Sequence, residues 1–148
     1  MSTIIDSSYT AQQIKTVKVS DLQTLTASDI SSIAPEAMAG LTPSQVQALP
    51  TTVISQISVD QLSYMTPAQL TALKVAQLQQ VTTSQLASLT ATQLNGLTVL
   101  SVNALSTSQL SSLQADQISA LAKPWIASLS ASQISSLSSQ QISALTTS

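Results

Sequence analysis

Few side chains in this sequence could take part in catalysis. The chain has no histidine and no cysteine, so the usual general base, thiolate nucleophile and transition-metal ligands are missing. Serines are frequent, but a serine needs a neighbouring base before it becomes a nucleophile. The acids stand singly along the chain, at Asp6, Asp21, Asp29, Glu36, Asp60 and Asp116. We therefore expect no enzymatic activity, no small-molecule substrate, no cofactor and no metal.

The chemistry that does recur is a hydroxyl residue followed three residues later by glutamine, as in Thr42 and Gln45. This spacing is a capping box, in which each side chain satisfies a backbone N–H that the first turn of a helix leaves unpaired. Leu41 and Val46 flank the pair as a hydrophobic staple. Prolines directly follow the cap place in three copies, where proline is favoured because its missing N–H costs nothing: Pro35, Pro43 and Pro67. The pattern therefore predicts a helix start.

This helix-start pattern repeats every eight residues. From Thr10 to Leu145 the chain divides into seventeen octads without insertion or deletion. The fifth and eighth places are always Leu, Ile, Val or Met, and the fourth is Gln in eleven octads. The boxes we single out as structural capping sites are Thr42 with Gln45, Thr66 with Gln69, Thr82 with Gln85, and Thr90 with Gln93. The chain thus consists of a non-repeat segment, a repeat region and a tail, at 1–9, 10–145 and 146–148.

The period of eight constrains the fold. At about 100° per residue, eight residues advance roughly 800°, so the apolar pair would drift about 80° per octad along one continuous helix. Apolar spacings of three and five do not match the alternation of a strand, which makes a β-solenoid the weaker alternative. We predict an all-α solenoid of very short helices that share one core. Gly40 and Gly96 both occupy the seventh place, which indicates that a neighbouring backbone comes close there.

A few residues depart from the pattern and are candidates for self-contact. Trp125 is either a core plug beside Pro124 or an exposed aromatic contact, and Leu100 stands at an outward place. Ile4 and Ile5 either cover the first repeat or dock onto another subunit. The C-terminal end shows none of the polar capping that solenoids normally need, which favours end-to-end stacking.

Charge and hydropathy exclude several partners. The net charge is −2, the four lysines are scattered, and there is no arginine, so we expect no nucleic-acid binding. No apolar run approaches eighteen residues, so we expect no membrane insertion. The first residues lack a conventional signal peptide, which leaves a cytoplasmic protein, export by another route, or a fragment.

The motif LTxxQ(V/I)xxL, seen in residues 41–49 and in variant copies throughout residues 10–145, resembles the Thr/Gln-rich octapeptide arrays of large bacterial surface and secreted adhesin-like proteins. The resemblance implies an extracellular or cell-surface structural segment. This chain departs from such proteins in being short and in lacking their other modules.

Two functions remain open at this point. The first is a structural protein, either a rigid spacer or a filament subunit that assembles end to end with copies of itself. The second is a binding module that presents rows of Ser, Thr and Gln to a repetitive surface such as a glycan or ice.

Overall fold

Seventeen short helices follow one another in the part of the chain that the structure describes, one in each octad. A computed structural model describes residues 5–146, and that part of the chain contains no strand. We number the helices α1 to α17, so that each carries the number of its octad; α4 is a 3-10 helix and the others are α-helices. The predicted all-α solenoid is confirmed, and the β-solenoid alternative is wrong. The bounds are α1 Ala11–Ile14, α2 Val19–Leu22, α3 Ala27–Ser32, α4 Pro35–Gly40, α5 Pro43–Ala48, α6 Thr51–Ile54, α7 Val59–Ser63, α8 Pro67–Thr71, α9 Val75–Leu78, α10 Thr83–Ser88, α11 Ala91–Asn95, α12 Val99–Asn103, α13 Thr107–Ser111, α14 Ala115–Ser119, α15 Lys123–Ala127, α16 Ala131–Ser135 and α17 Ser139–Thr146.

Each helix ends because the following cap place must be extended. In the fifth octad the eighth residue, Leu49, has φ −58° and ψ 133°, and the following cap residue, Pro50, has φ −58° and ψ 143°. The chain therefore leaves the helix at its eighth residue, after a 3.2 Å bond from Leu49 N–H to the Val46 carbonyl. Within residues 5–146 no residue has a positive φ. The turns between helices consequently need no glycine.

The helices wind into a superhelix, one turn of which we call a coil. Each helix packs on the third helix before it: α4 on α1, α11 on α8, and α17 on α14. Recurrent hydrogen bonds join residues that are 28 and 31 positions apart. A separation of 28 residues is three and a half octads, so the seventeen octads form about five coils. None of the described helices has the length and apolar character needed to cross a bilayer.

The aliphatic residues of all coils fill one interior. From Ile14 to Ile118 every fifth-place side chain is buried, and from Leu25 to Leu121 every eighth-place side chain is buried. A cavity among them measures only about 20 Å³, roughly the space of one water molecule. Because each octad contributes only two side chains to this core, its stability depends on the coils above and below it.

The two glycines lie where the backbones of adjacent coils come close together. A Cβ on Gly40 would stand 1.9 Å from the carbonyl oxygen of Ala11, and one on Gly96 would stand 2.8 Å from that of Pro67. Both distances are shorter than van der Waals contact. The close backbone approach predicted for the seventh place is confirmed at these two octads.

Candidate functional site, the glutamine ladder

The glutamine at the fourth place links each coil to the one before it. Gln85 is typical: its Oε1 accepts the Thr82 N–H at 2.7 Å. Its Nε2 donates to the carbonyls of Ile54 at 2.9 Å and Ile57 at 2.6 Å, the fifth and eighth places of the octad four earlier. We call this set of three bonds a rung. A rung ties the start of one helix to the end of a helix in the preceding coil.

Ten glutamines form such rungs and are at most 8% exposed: Gln45, Gln61, Gln69, Gln77, Gln85, Gln93, Gln109, Gln117, Gln133 and Gln141. Their Oε1 atoms lie 2.6–2.9 Å from the cap N–H nitrogen. Their Nε2 atoms lie 2.5–3.0 Å from the eighth-place carbonyl oxygen and 2.7–3.5 Å from the fifth-place one. Both amide hydrogens are used, so these buried amides satisfy the backbone groups that face them.

The capping residues chosen from the sequence all take part in this ladder. Thr42 with Gln45, Thr66 with Gln69, Thr82 with Gln85, and Thr90 with Gln93 each form the reciprocal box between side chain and backbone. Sequence reasoning identified the Oε1 half of each rung and missed the Nε2 half, which reaches across coils. These glutamines are buried, so they are not part of any outward row of polar groups.

Two rungs are missing in the interior for different local reasons. In the sixth octad the cap place is Pro50, which has no N–H for a glutamine to accept, and Val53 fills the fourth place as a buried apolar residue. In the twelfth octad Ser101 is buried and contacts the Thr98 hydroxyl at 2.9 Å. Serine is too short to reach the coil below, so the Leu70 and Leu73 carbonyls receive no side-chain amide from this octad.

In the fifteenth octad the rung is replaced by hydrogen bonds from a side chain of the preceding coil to the backbone of the later one. Trp125 occupies the fourth place and is buried, and its Nε1 has no hydrogen-bond partner. Asn95, four octads earlier, accepts the Ala122 N–H at 2.9 Å and donates to the Ala120 carbonyl at 2.9 Å. The cap N–H that a fourth-place glutamine would accept is thus accepted by an asparagine of the coil below.

The first four octads, residues 10–41, which we call the first coil, have no octad four places earlier and carry different fourth-place residues. The Gln13 side chain is exposed and its amide oxygen accepts only from Thr10 of its own octad, at 2.9 Å from the backbone N–H nitrogen. The other three octads have Asp21, Asp29 and Ala37. Hydrogen bonds from the Thr26 hydroxyl and backbone N–H hold the pKa of Asp29 below its ordinary value. A carboxylate accepts from its own cap but has no proton to donate to another coil.

The C-terminal end of the described solenoid exposes aliphatic side chains and backbone acceptors instead of carboxylates. We call it the open face, and define it by the fifth-place residues Ile126, Ile134 and Ile142 with the eighth-place carbonyls of Leu121, Leu129 and Leu137. Ile134 is 45% and Ile142 37% exposed and Ile126 is partly buried, whereas every fifth place from Ile14 to Ile118 is buried. Among the described residues no donor reaches those three carbonyls.

Two of the four self-contact candidates, Ile5 and Trp125, lie in the core of their own chain, as one of the two alternatives for each residue expected. Ile5 is fully buried and its carbonyl accepts the Ser32 hydroxyl at 3.0 Å, so it covers the first coil of its own chain. Trp125 is buried because it fills a glutamine place, so it is not an exposed aromatic contact. Leu100 is 74% exposed. Ile4 lies outside the described residues.

Within residues 5–146, no three acidic side chains lie close enough together to hold a metal ion. Asp6 accepts hydrogen bonds from the Ser8 hydroxyl and N–H, which lower its pKa. No family model, no curated protein and no solved structure matches this chain.

Proposed function

We propose that this chain is a non-catalytic structural protein that serves as a rigid spacer, whose length is set by the number of octads. The observation that carries the proposal is the glutamine ladder, which joins every coil to the next through buried bonds. A spacer must keep its two ends at a fixed separation, and a chain of cross-bonded coils resists both stretching and bending.

The rigidity has two sources in each octad. The rung bonds two carbonyls of the preceding coil, and the two aliphatic side chains enter the shared core. The accessible surface is 7328 Å², close to the roughly 7,100 Å² of a compact monomer of this mass. Five coils therefore make a short, thick rod, and a longer spacer would need more octads.

We favour the spacer over a filament built by end-to-end stacking through the ladder. The open face presents backbone acceptors, and stacking would require donors from the first coil of the next copy. Among the fourth-place residues of that coil only Gln13 has an amide that could donate, whereas Asp21 and Asp29 would bring carboxylates against carbonyl oxygens. The proposed extracellular or cell-surface location rests on the resemblance to adhesin-like octapeptide arrays.

The spacer proposal is tested by lengthening the solenoid. A second copy of residues 58–113, inserted after residue 113, adds seven octads, which is two coils, without changing the register. Helix layers are separated by about 10 Å, so small-angle X-ray scattering should show the maximum dimension rising by roughly 20 Å with an unchanged cross-section.

The control carries a 56-residue Gly/Ser insertion at the same point and should widen the distribution of distances without forming a longer rod. Growth of both proteins in the same way, as flexible chains, would contradict the spacer proposal.

A further inference from the structure

We propose that this solenoid associates side by side with further copies of itself, with the basic flank of one copy against the acidic flank of the next. The two flanks are opposite sides of the rod, and each brings together charged and apolar residues that are far apart in the sequence. The contact uses the side of the solenoid and neither of its ends. It does not depend on the spacer function.

The length of a coil determines which residues share a side of the rod. Hydrogen bonds between adjacent coils join residues 25 to 31 positions apart, with 28 as a recurrent separation. Residues 56 positions apart therefore lie on the same side, two coils apart, at an axial distance of roughly 20 Å. Residues half a coil or one and a half coils apart lie on opposite sides.

The basic flank carries two lysines in line and an exposed aliphatic surface around them. Lys18 and Lys74 are 56 positions apart and occupy the same place of their octads. Leu100, at 74%, is the most exposed of the large hydrophobic residues, and its helix α12 packs on α9, which begins at Val75. Asp21, the acid nearest to these lysines, is half-buried. The basic flank consists of Lys18, Val19, Lys74, Val75, Val99 and Leu100.

The acidic flank lies on the opposite side of the rod. Asp60 and Asp116 are also 56 positions apart, and both occupy the third place of their octads. Asp60 follows Lys18 by one and a half coils, so the aspartates and the lysines lie on opposite sides. Val59 and Tyr64, which are 45% and 50% exposed, lie beside Asp60 and complete this flank. Among residues 5–125, every large hydrophobic side chain that is exposed thus belongs to one of the two flanks.

Charge complementarity identifies a second copy of this chain as the occupant. The two lysines and the two aspartates have the same separation along the rod, so a single displacement of a neighbouring copy aligns both lysines with both aspartates. Within residues 5–146 none of these four charged groups forms an ion pair or a side-chain hydrogen bond with its own chain, so all four can pair with a neighbour. The same contact would cover the exposed aliphatic residues beside them.

The opposite placement of the flanks determines the kind of assembly. Each copy can bind one neighbour on each side, and such a heterologous contact does not close. The expected product is a row of parallel rods of variable number and not a discrete dimer. Exposed ion pairs contribute only a few-fold each to an association constant and are screened by salt. The rows should therefore be weak and should dissociate as the ionic strength rises.

Complementary charge reversals test the pairing of the two flanks. One variant carries Lys18→Glu with Lys74→Glu, and the other carries Asp60→Lys with Asp116→Lys; all four side chains are exposed, so the fold should be kept. Sedimentation velocity at an ionic strength of about 0.01 M should show concentration-dependent rows for the wild type. Each variant alone should sediment as a monomer. Their equimolar mixture should associate again, because the reversed flank of one variant matches the reversed flank of the other.

A control of identical composition separates the alignment of charges from net charge. Asp116→Ser with Ser108→Asp moves one acid to the same place of the preceding octad, about a quarter of the way around the rod, and keeps the net charge at −2. The association constant of this protein should fall about threefold relative to the wild type. Leu100→Ala should lower it by a similar factor, about threefold. Ser108→Ala, at the same place of an octad but off both flanks, should leave it unchanged.

Three results would overturn the proposal. The first is a wild type that remains monomeric at about 1 mM and low ionic strength. The second is a variant mixture that associates no more than its components do separately. The third is equal association of the wild type and the transposed control, which would show that net charge alone is responsible. Circular dichroism identifies any variant that has lost its helices. None of these outcomes determines how the length of one rod depends on its number of octads, so this proposal and the spacer proposal can fail separately.

Discussion

The first coil and the coils above it are built from the same octad pattern, but only the coils above have a preceding coil to bond. Both begin their helices with the same capping chemistry, as the boxes of Thr10 with Gln13 and of Thr82 with Gln85 show. They differ at the fourth place, where the first coil has an exposed glutamine, two aspartates and an alanine. The comparison shows that the cap oxygen is a requirement of each helix, whereas the amide nitrogen is a requirement of a neighbouring coil.

The largest expected difference between the two regions comes from removing the fourth-place glutamine in each of them. Gln85→Leu would leave the Thr82 N–H and the Ile54 and Ile57 carbonyls without their side-chain partner inside the core. We expect the free energy of unfolding to fall by about 3 kcal/mol. Gln13→Leu removes only an exposed contact and should cost less than about 1 kcal/mol. Urea unfolding followed by circular dichroism measures both, and equal losses would show that the Nε2 bonds contribute nothing.

The glycines give the next largest contrast. Gly40→Ala would place a methyl group 1.9 Å from the Ala11 carbonyl oxygen, so the backbone of the first coil must move. We expect a loss of about 2 kcal/mol, within the usual range for overpacking. Gly96→Ala, whose added methyl group would stand 2.8 Å from the Pro67 carbonyl oxygen, should lose less, about 1 kcal/mol, at the lower end of that range. Thermal unfolding of the two variants provides the test, and the reverse order would count against the close contact of α1 with α4.

A rung added to the interior should stabilise the protein. Ser101→Gln places an amide above the Leu70 and Leu73 carbonyls and opposite the Thr98 N–H, and we expect a gain of about 1 kcal/mol. Val53→Gln is the matched control, because Pro50 offers no N–H to its Oε1 and the gain should be absent. Denaturant midpoints that rise equally for both variants would mean that the cap N–H is irrelevant to the rung.

The contact between Asn95 and the fifteenth octad should depend on Trp125. Asn95→Ala removes two hydrogen bonds from the backbone near Ala122 and should cost about 1 kcal/mol. In a Trp125→Gln background, glutamine would accept the Ala122 N–H itself, so the same substitution should cost clearly less. A double-mutant cycle measures this coupling. Additive effects of the two substitutions would refute the replacement of one contact by the other.

The smallest effect concerns the pH dependence of the first coil. The Thr26 bonds lower the pKa of Asp29 below 3.8 in the folded chain. The carboxylate therefore contributes stability above about pH 4, and this contribution disappears as the pH falls through the folded-state pKa. Urea midpoints measured between pH 5 and 2 should fall less steeply for Asp29→Asn than for the wild type. A steeper fall for the variant would reverse the predicted sign.

The sequence predicted what is local to one octad. The place of Thr42 as a cap, Gln45 as its partner and Pro43 as the first helical residue follows from contacts within four positions. The number of octads in a coil does not, because it depends on small bends that accumulate over 28 residues. Consequently the Nε2 bonds, which join residues 28 and 31 apart, could not be placed.

One signal of the coil length was nevertheless present in the sequence. After Gln13, the next three fourth places carry no glutamine: Asp21, Asp29 and Ala37. A glutamine is needed only when an octad stands four places earlier, so the recovery of glutamine at Gln45 marks where the second layer begins. The burial of Trp125 was harder to foresee, because its compensating partner, Asn95, lies 30 residues away.

The half-integral number of octads per coil has a mechanical consequence. Each helix lies against the third helix before it, while its glutamine bonds the fourth octad before it. Every octad is therefore offset by half an octad from the adjacent layer and contacts two consecutive octads there. The joints of adjacent layers consequently do not line up along the axis. A break that starts at one joint meets the middle of an intact octad in the next layer, and local fraying is arrested there.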